Sequence, residues 1–196
     1  MISKKEQDSL LNKYGKLNIQ EEENPNSKFY VGILDRFNRP LSIEEAENLL
    51  ISFDPRNKET QNIFIKQETK FLNFFKVAYE LNDRKPVYVF CPEFPDLRSE
   101  SYSTIIKTLD ESDKKLLKIL KNVENIYGTF KAEDEELLIL FAKLSLRELC
   151  FSNFFFDNSG SIIIGNYELS FPIYCLHEMS FKSYKKKATE LGLFIR

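Results

Sequence analysis

The amino-acid sequence predicts an α+β fold, with clustered helices packed on a mainly antiparallel sheet and a C-terminal β-meander. Helical periodicities crowd between residues 42 and 149, whereas short aromatic and β-branched runs follow one another from Phe151 onward. Strand and helix do not alternate in the regular way that builds a doubly wound sheet. The 196 residues suit one domain, and 42% hydrophobic with 14% aromatic content supplies a core, Phe being frequent at 18 and Trp absent. The expected organisation is a single domain over 1–196, with residues 1–27 as a candidate N-terminal helix and linker.

Leu10, Leu11, Tyr14 and Leu17 stand at helical spacing and predict a short amphipathic helix lying on the body. Residues 18–27, which include Glu21, Glu22 and Glu23, read as a linker. Lys28 to Leu34 is aromatic and β-branched and reads as a strand, closed by a turn through Pro40. Ser42 and Glu45 have the spacing of a capping box. The helix they open has Ile43, Ala46, Leu49, Leu50 and Phe53 as its expected buried stripe and stops at Asp54-Pro55. A longer helical pattern reaches Leu81 through Phe71, Phe74, Phe75 and Ala78, although Asn62 to Ile65 suits a short strand equally well. Pro86 to Pro92 reads as a buried strand, followed by a proline-marked loop through Asp96.

Three helices are expected next, near 103–109, 113–127 and 133–149, the last apolar nearly all round and therefore central. Phe151 to Asp157 and Ser161 to Ile164 flank Asn158-Ser159-Gly160, a hairpin signal. Phe151 to Phe156 is apolar on both faces, which fits a covered central strand or one whose outer face meets a partner. Tyr167 to Leu176 supplies a third strand, with Pro172 pointing to an edge or bulge. A helix capped by Ser180 follows, with Phe181, Tyr184, Ala188 and Leu191 inward and Gly192 at C′, and Leu193 to Ile195 reads as a last strand.

Charge narrows the function classes. The chain carries 28 basic and 30 acidic side chains, a net charge of −2. Residues 1–98 hold 15 and 16 of these, leaving 13 and 14 for the remainder, so no half has the basic excess of a nucleic-acid binder. Lys182 and Lys185 to Lys187 form the one basic cluster, on the solvent face of the last helix. The first residues contain no apolar leader, and no run of 18 apolar residues occurs, so no membrane partner is expected and the location expected is cytoplasmic. The Lys, Asn, Ile, Phe and Tyr content suits an AT-rich microbial source.

Chemical motifs are few. Six glycines at 15, 32, 128, 160, 165 and 192 cannot write a dinucleotide or P-loop cradle, so no cofactor is expected. His177 is the single histidine, which leaves no His-based metal centre. Cys91, Cys150 and Cys175 lie in apolar stretches without CxxC spacing and read as reduced core thiols. No catalytic residue is assigned. The reading that fits is a non-enzymatic protein-binding protein, such as an immunity protein that neutralises a toxin by surface complementarity. Its expected contacts are acidic: Glu21, Glu22 and Glu23, Glu93 and Asp96 in the loop after Cys91, and Glu133, Asp134, Glu135 and Glu136. Glu133 to Glu136 also suits the positive end of a helix dipole. The alternative is a hydrolase or nuclease-like enzyme using Cys91, or Glu93 and Asp96, with His177.

Overall fold

The computed structural model describes residues 2–17, 28–54, 56–92, 94, 106–121 and 128–196. Seven strands form one antiparallel sheet: β1 (Tyr30–Asp35), β2 (Val87–Phe90), β3 (Thr129–Ala132), β4 (Asn153–Phe156), β5 (Ser161–Ile164), β6 (Phe171–Cys175) and β7 (Phe194–Ile195). Their order across the sheet is β3-β2-β4-β5-β6-β1-β7. The helices are α1 (Lys4–Tyr14), α2 (Ile43–Leu49), α3 (Lys58–Leu81), α4 (Glu111–Lys121), α5 (Glu135–Leu146) and α6 (Glu178–Glu190). The fold is α+β, as the segregation of helical and strand patterns predicts.

Period-two alternation sorts the strand side chains between two cores. Val87, Val89, Phe154, Phe156, Ile163, Phe171 and Ile173 face a large core built with α3, α5 and α6. Phe71, Phe74, Phe75 and Ala78 of α3 enter it at i, i+3, i+4 and i+7, and all are fully buried. Phe75 meets Phe154 edge-on at 4.8 Å and Phe171 at 6.0 Å between ring centroids. On the other face, Phe155, Ile162, Ile164 and Tyr174 make a smaller core covered by Leu10 and Tyr14 of α1 and by Phe29.

β4 is therefore a central strand covered on both faces, all four of its residues being buried. Its doubly apolar sequence follows from that position. The hairpin turn it shares with β5 is gripped from outside: the Asn82 side-chain oxygen, at the end of α3, accepts from the Asn158 and Ser159 amides.

Several expectations are corrected. The ambiguous 62–65 segment is helical, since α3 runs unbroken from an Asn57 cap. β3 is a strand that the pattern does not announce, because four residues at a sheet edge are too short for a period to emerge. The pattern over 103–109 is helical at 106–108, while 101–105 and 122–127 lie outside the described residues. Ser180 does not cap α6: His177 holds the N-cap position without a side-chain bond, and Ser180 donates to the Ser159 carbonyl at 2.8 Å.

Pro172 sits in an interior strand, not at an edge or bulge. Ile33, its partner in β1, exchanges both backbone bonds with Arg196 on the other side, so the proline nitrogen points toward β5. The β5–β6 ladder has already ended there, at Ile163↔Ile173. No donor is needed, and the proline is tolerated.

The largest correction concerns α2. Its expected buried stripe does not exist: no residue of the helix is buried, Ile43 is 83% exposed and Leu49 44% exposed. The helix stops at Leu49, so Phe53 lies beyond it, where it packs edge-on against Phe64.

Candidate functional site

The two partners of the alternative enzyme reading lie far apart. Cys91 follows β2 one residue past the Phe90↔Asn153 pair, whereas His177 follows β6 two residues past Cys175↔Ser161, and Ser161 pairs with Phe156. They thus leave opposite ends of strands separated by β4 and β5. At roughly 4.8 Å per strand and 3.3 Å per residue, the separation is no less than roughly 15 Å. Glu93 and Asp96 lie outside the described residues.

Cys91 is also not the free thiol expected. Its sulfur is bonded to that of Cys150, the Cα atoms 6.9 Å apart. Pairing of β2 with β4 brings the end of one strand beside the approach to the other, a juxtaposition that no spacing along the chain reveals. Cys175 alone is free, and burial pushes its thiol up to about 12, which makes it a core filler and not a nucleophile. His177 is exposed, its ring lying against Gly160. Among the described residues no group of three His, Cys, Asp or Glu is placed to hold a metal ion.

The acidic contacts fare differently from one another. Glu21, Glu22 and Glu23 lie outside the described residues. Asp134 caps α5, accepting from the Leu137 amide at 2.8 Å, and Glu135 pairs with Lys76 at 3.3 Å. Glu133 stands largely exposed, 3.5 Å from the Lys131 ammonium, and Glu136 is exposed with no ion pair among the described residues. α5 itself is anchored, with Leu138, Leu140, Phe141 and Leu144 fully buried. Its first turn is therefore a rigid acidic rim. The basic cluster on α6 is solvated, with Lys182 paired to Glu178 at 2.9 Å and Lys187 to Glu190 at 2.7 Å.

Three polar sites escape the sequence patterns. Arg147 forks onto Glu68, with bonds of 2.6 and 2.8 Å between side chains only 9% and 4% exposed. Its third nitrogen donates to the Thr108 carbonyl, and the guanidinium stacks on Phe53. Nearby, Lys143 bridges Asp113 at 2.5 Å and Asp110 at 2.9 Å. Burial alone would pull the Lys143 pKa down, but the two carboxylates outweigh it and hold the ammonium above its ordinary value. These contacts brace α3, α4 and α5. Glu68 did leave a trace, as a carboxylate on the stripe between Phe64 and Phe71.

The second site lies under α1. Glu6 accepts from the Lys131 ammonium at 3.0 Å and from the Tyr88 hydroxyl at 3.2 Å. Hydrogen bonds from the Ser3 hydroxyl and amide, then Lys131, hold its carboxyl at about 2. At the other end of the helix Asp157 accepts from Lys13 at 2.8 Å and from Tyr14 at 3.3 Å. The third is a hydroxyl cluster at the hairpin, where Ser161 donates to Tyr184 at 2.9 Å and meets Ser159 at 2.5 Å. Burial pushes the Tyr184 phenol up to about 12, so it is a neutral donor and acceptor. All these groups are satisfied by neighbours in the chain and serve as joints.

No helix among the described residues is long and apolar enough to cross a membrane. Comparison with family models, curated proteins and solved structures finds no match.

Proposed function

We propose that the chain is a cytoplasmic, non-enzymatic protein-binding protein that neutralises a basic partner by covering its surface, as an immunity protein does to a toxin. The observation that carries this reading is the acidic rim of α5. Glu133 and Glu136 stand exposed at the N-terminal end of α5, one just before its Asp134 cap and one in its first turn. The helix is locked into the core through Leu138, Leu140, Phe141 and Leu144. Rigid, exposed carboxylates steer a basic partner into register and cost little ordering when it docks. Glu136 has no ion pair among the described residues, and Glu133 shares Lys131 with Glu6.

The test is capture and reconstitution. The tagged chain is used to isolate a stoichiometric protein from lysate of the source organism, and the purified pair is then titrated by calorimetry. A partner with a basic contact surface should bind at least tenfold more weakly to the Glu133→Lys/Glu136→Lys variant, and binding should weaken with added salt. Unchanged affinity in that variant overturns the role of the rim. Failure to isolate any stoichiometric partner counts against the reading as a whole.

A further inference from the structure

α2 presents a physical puzzle. Seven residues are too few for a stable isolated helix, and most short helices are held by burying one face. This one buries none of its residues. It is held instead by polar bonds at both ends. Ser42 and Glu45 cap each other's amides at 3.2 and 2.9 Å, and Arg39 forks onto Glu45 at 2.8 and 2.5 Å. At the other end the Arg36 guanidinium donates to the Leu49 carbonyl, a favourable place for a cation. These clamps hold Ile43 in the solvent, 83% exposed, beside Glu44 and Glu47, which are exposed and have no ion pair among the described residues.

Behind the helix lies a pocket of about 260 Å³. Leu50, Phe37 and Leu41 supply an apolar wall, and its polar end holds Asp35, Arg196 and Glu168. Asp35 is already neutralised by Arg196 at 2.9 Å and accepts the Phe37 amide at 3.1 Å. The Glu168 carboxylate is exposed and has no ion pair among the described residues, while its amide is fixed by Glu148 at 2.9 Å. The pocket therefore has an apolar wall and one unneutralised negative charge. A long aliphatic stem ending in a cation matches both.

We propose that α2 and the pocket behind it form a docking site for a basic protein segment, which inserts a Lys or Arg side chain beside Glu168 and lays an apolar residue on Ile43. The occupant is set by charge: three carboxylates, Glu44, Glu47 and Glu168, have no ion pair among the described residues. The nearby cations are already engaged, Arg39 with Glu45, Arg196 with Asp35, and Arg36 with the Leu49 carbonyl and the Phe37 ring. This deepens the protein-binding reading and rests on it, but names a surface away from the α5 rim.

The test titrates the isotope-labelled full chain with acetyl-Leu-Lys-Leu-amide and follows backbone amide shifts. Saturable shifts confined to residues 35–50 and 168–170, at least tenfold weaker with acetyl-Leu-Gln-Leu-amide and in the Glu168→Gln chain, support the site. Ile43→Asp should keep the fold, because the side chain is solvent-exposed, and should weaken the peptide severalfold. Absent shifts, or equal shifts with the glutamine peptide, overturn the docking site whatever the capture experiment returns. A dimer that Ile43→Asp converts to monomer would assign the surface to a second copy and also overturn it. Saturable shifts without a captured partner would leave this site standing and sink only the neutralising role.

Discussion

Arg147 and Glu68 illustrate how a single pair of residues can dominate a local energy balance. Their side chains are 9% and 4% exposed, so removing one leaves the other charged in a place water does not reach. Arg147→Met should therefore destabilise the chain by about 3–5 kcal/mol, and the double replacement with Glu68→Leu should recover most of that loss. Urea melts of the three variants check both values. Additive losses would show that the ion pair is not the unit that matters. The cysteines allow a second prediction at this scale. The bond between Cys91 and Cys150 spans a sequence separation of 59, and closing a loop of that size restricts the unfolded chain by about 4 kcal/mol. Cys91→Ala, Cys150→Ala and the double variant should lose the same amount without reductant, because each opens the same loop. With reductant present, the difference from the parent should shrink to that of a small side-chain change.

α1 is the element with the most conditional attachment. It buries Leu10 and Tyr14 and is otherwise held by carboxylates near its two ends, its own Glu6 and Asp157 of the hairpin turn. The folded Glu6 carboxyl lies at about 2, below its ordinary 4.5. A lowered acid contributes stability in full above the higher value and loses it as pH falls toward the lower one. The protection of the α1 amides should accordingly decline between pH 4.5 and about 2, and Glu6→Gln should flatten that decline while lowering protection at neutral pH. Amide exchange followed by NMR measures both. At the sheet, Gly32 carries a close approach: a Cβ there would lie 2.6 Å from an Ile195 methyl and 3.1 Å from the Phe181 ring. Gly32→Ala should cost about 1–3 kcal/mol by pushing β7 and α6 off β1, read as a drop in denaturation midpoint at unchanged slope. Elements of this kind were legible in unequal measure. The capping box at Ser42 and Glu45 was readable because it is a local rule, yet the burial of α2 was not, since periodicity tells which side chains share a face and not whether anything faces them. β3 went unread for the converse reason: its burial comes from β2 and the helix layer, not from its own four residues.

Across the whole molecule the two cores are unequal. The larger is enclosed by α3, α5 and α6 on one face of a continuous sheet, and the smaller is closed chiefly by one helix and Phe29. Native-state hydrogen exchange in low urea should therefore show α1 opening at a lower free energy than β4 and β5, whose amides should exchange through global unfolding. Equal values would make α1 part of the same cooperative unit. The candidate sites follow the same geography. The acidic rim of α5 was readable as a run of carboxylates, but the sheet register alone decides that Cys91 and His177 emerge from opposite ends of the strands. Glu168 and Leu50 line one pocket although they lie far apart in the chain.

The doubly apolar strand allowed either a central place or a partner-facing one, whereas the fold class, the hairpin and the absence of phosphate-cradling glycine motifs can be read from the residues alone. Each of these depends on interactions within a few residues of chain or on composition, and such information survives without coordinates. Only the tertiary structure decided which carboxylates are neutralised, which cysteines meet and which apolar side chains stay in water. Those outcomes depend on pairing between strands distant in sequence, where a shift of one residue would turn each side chain to the other face.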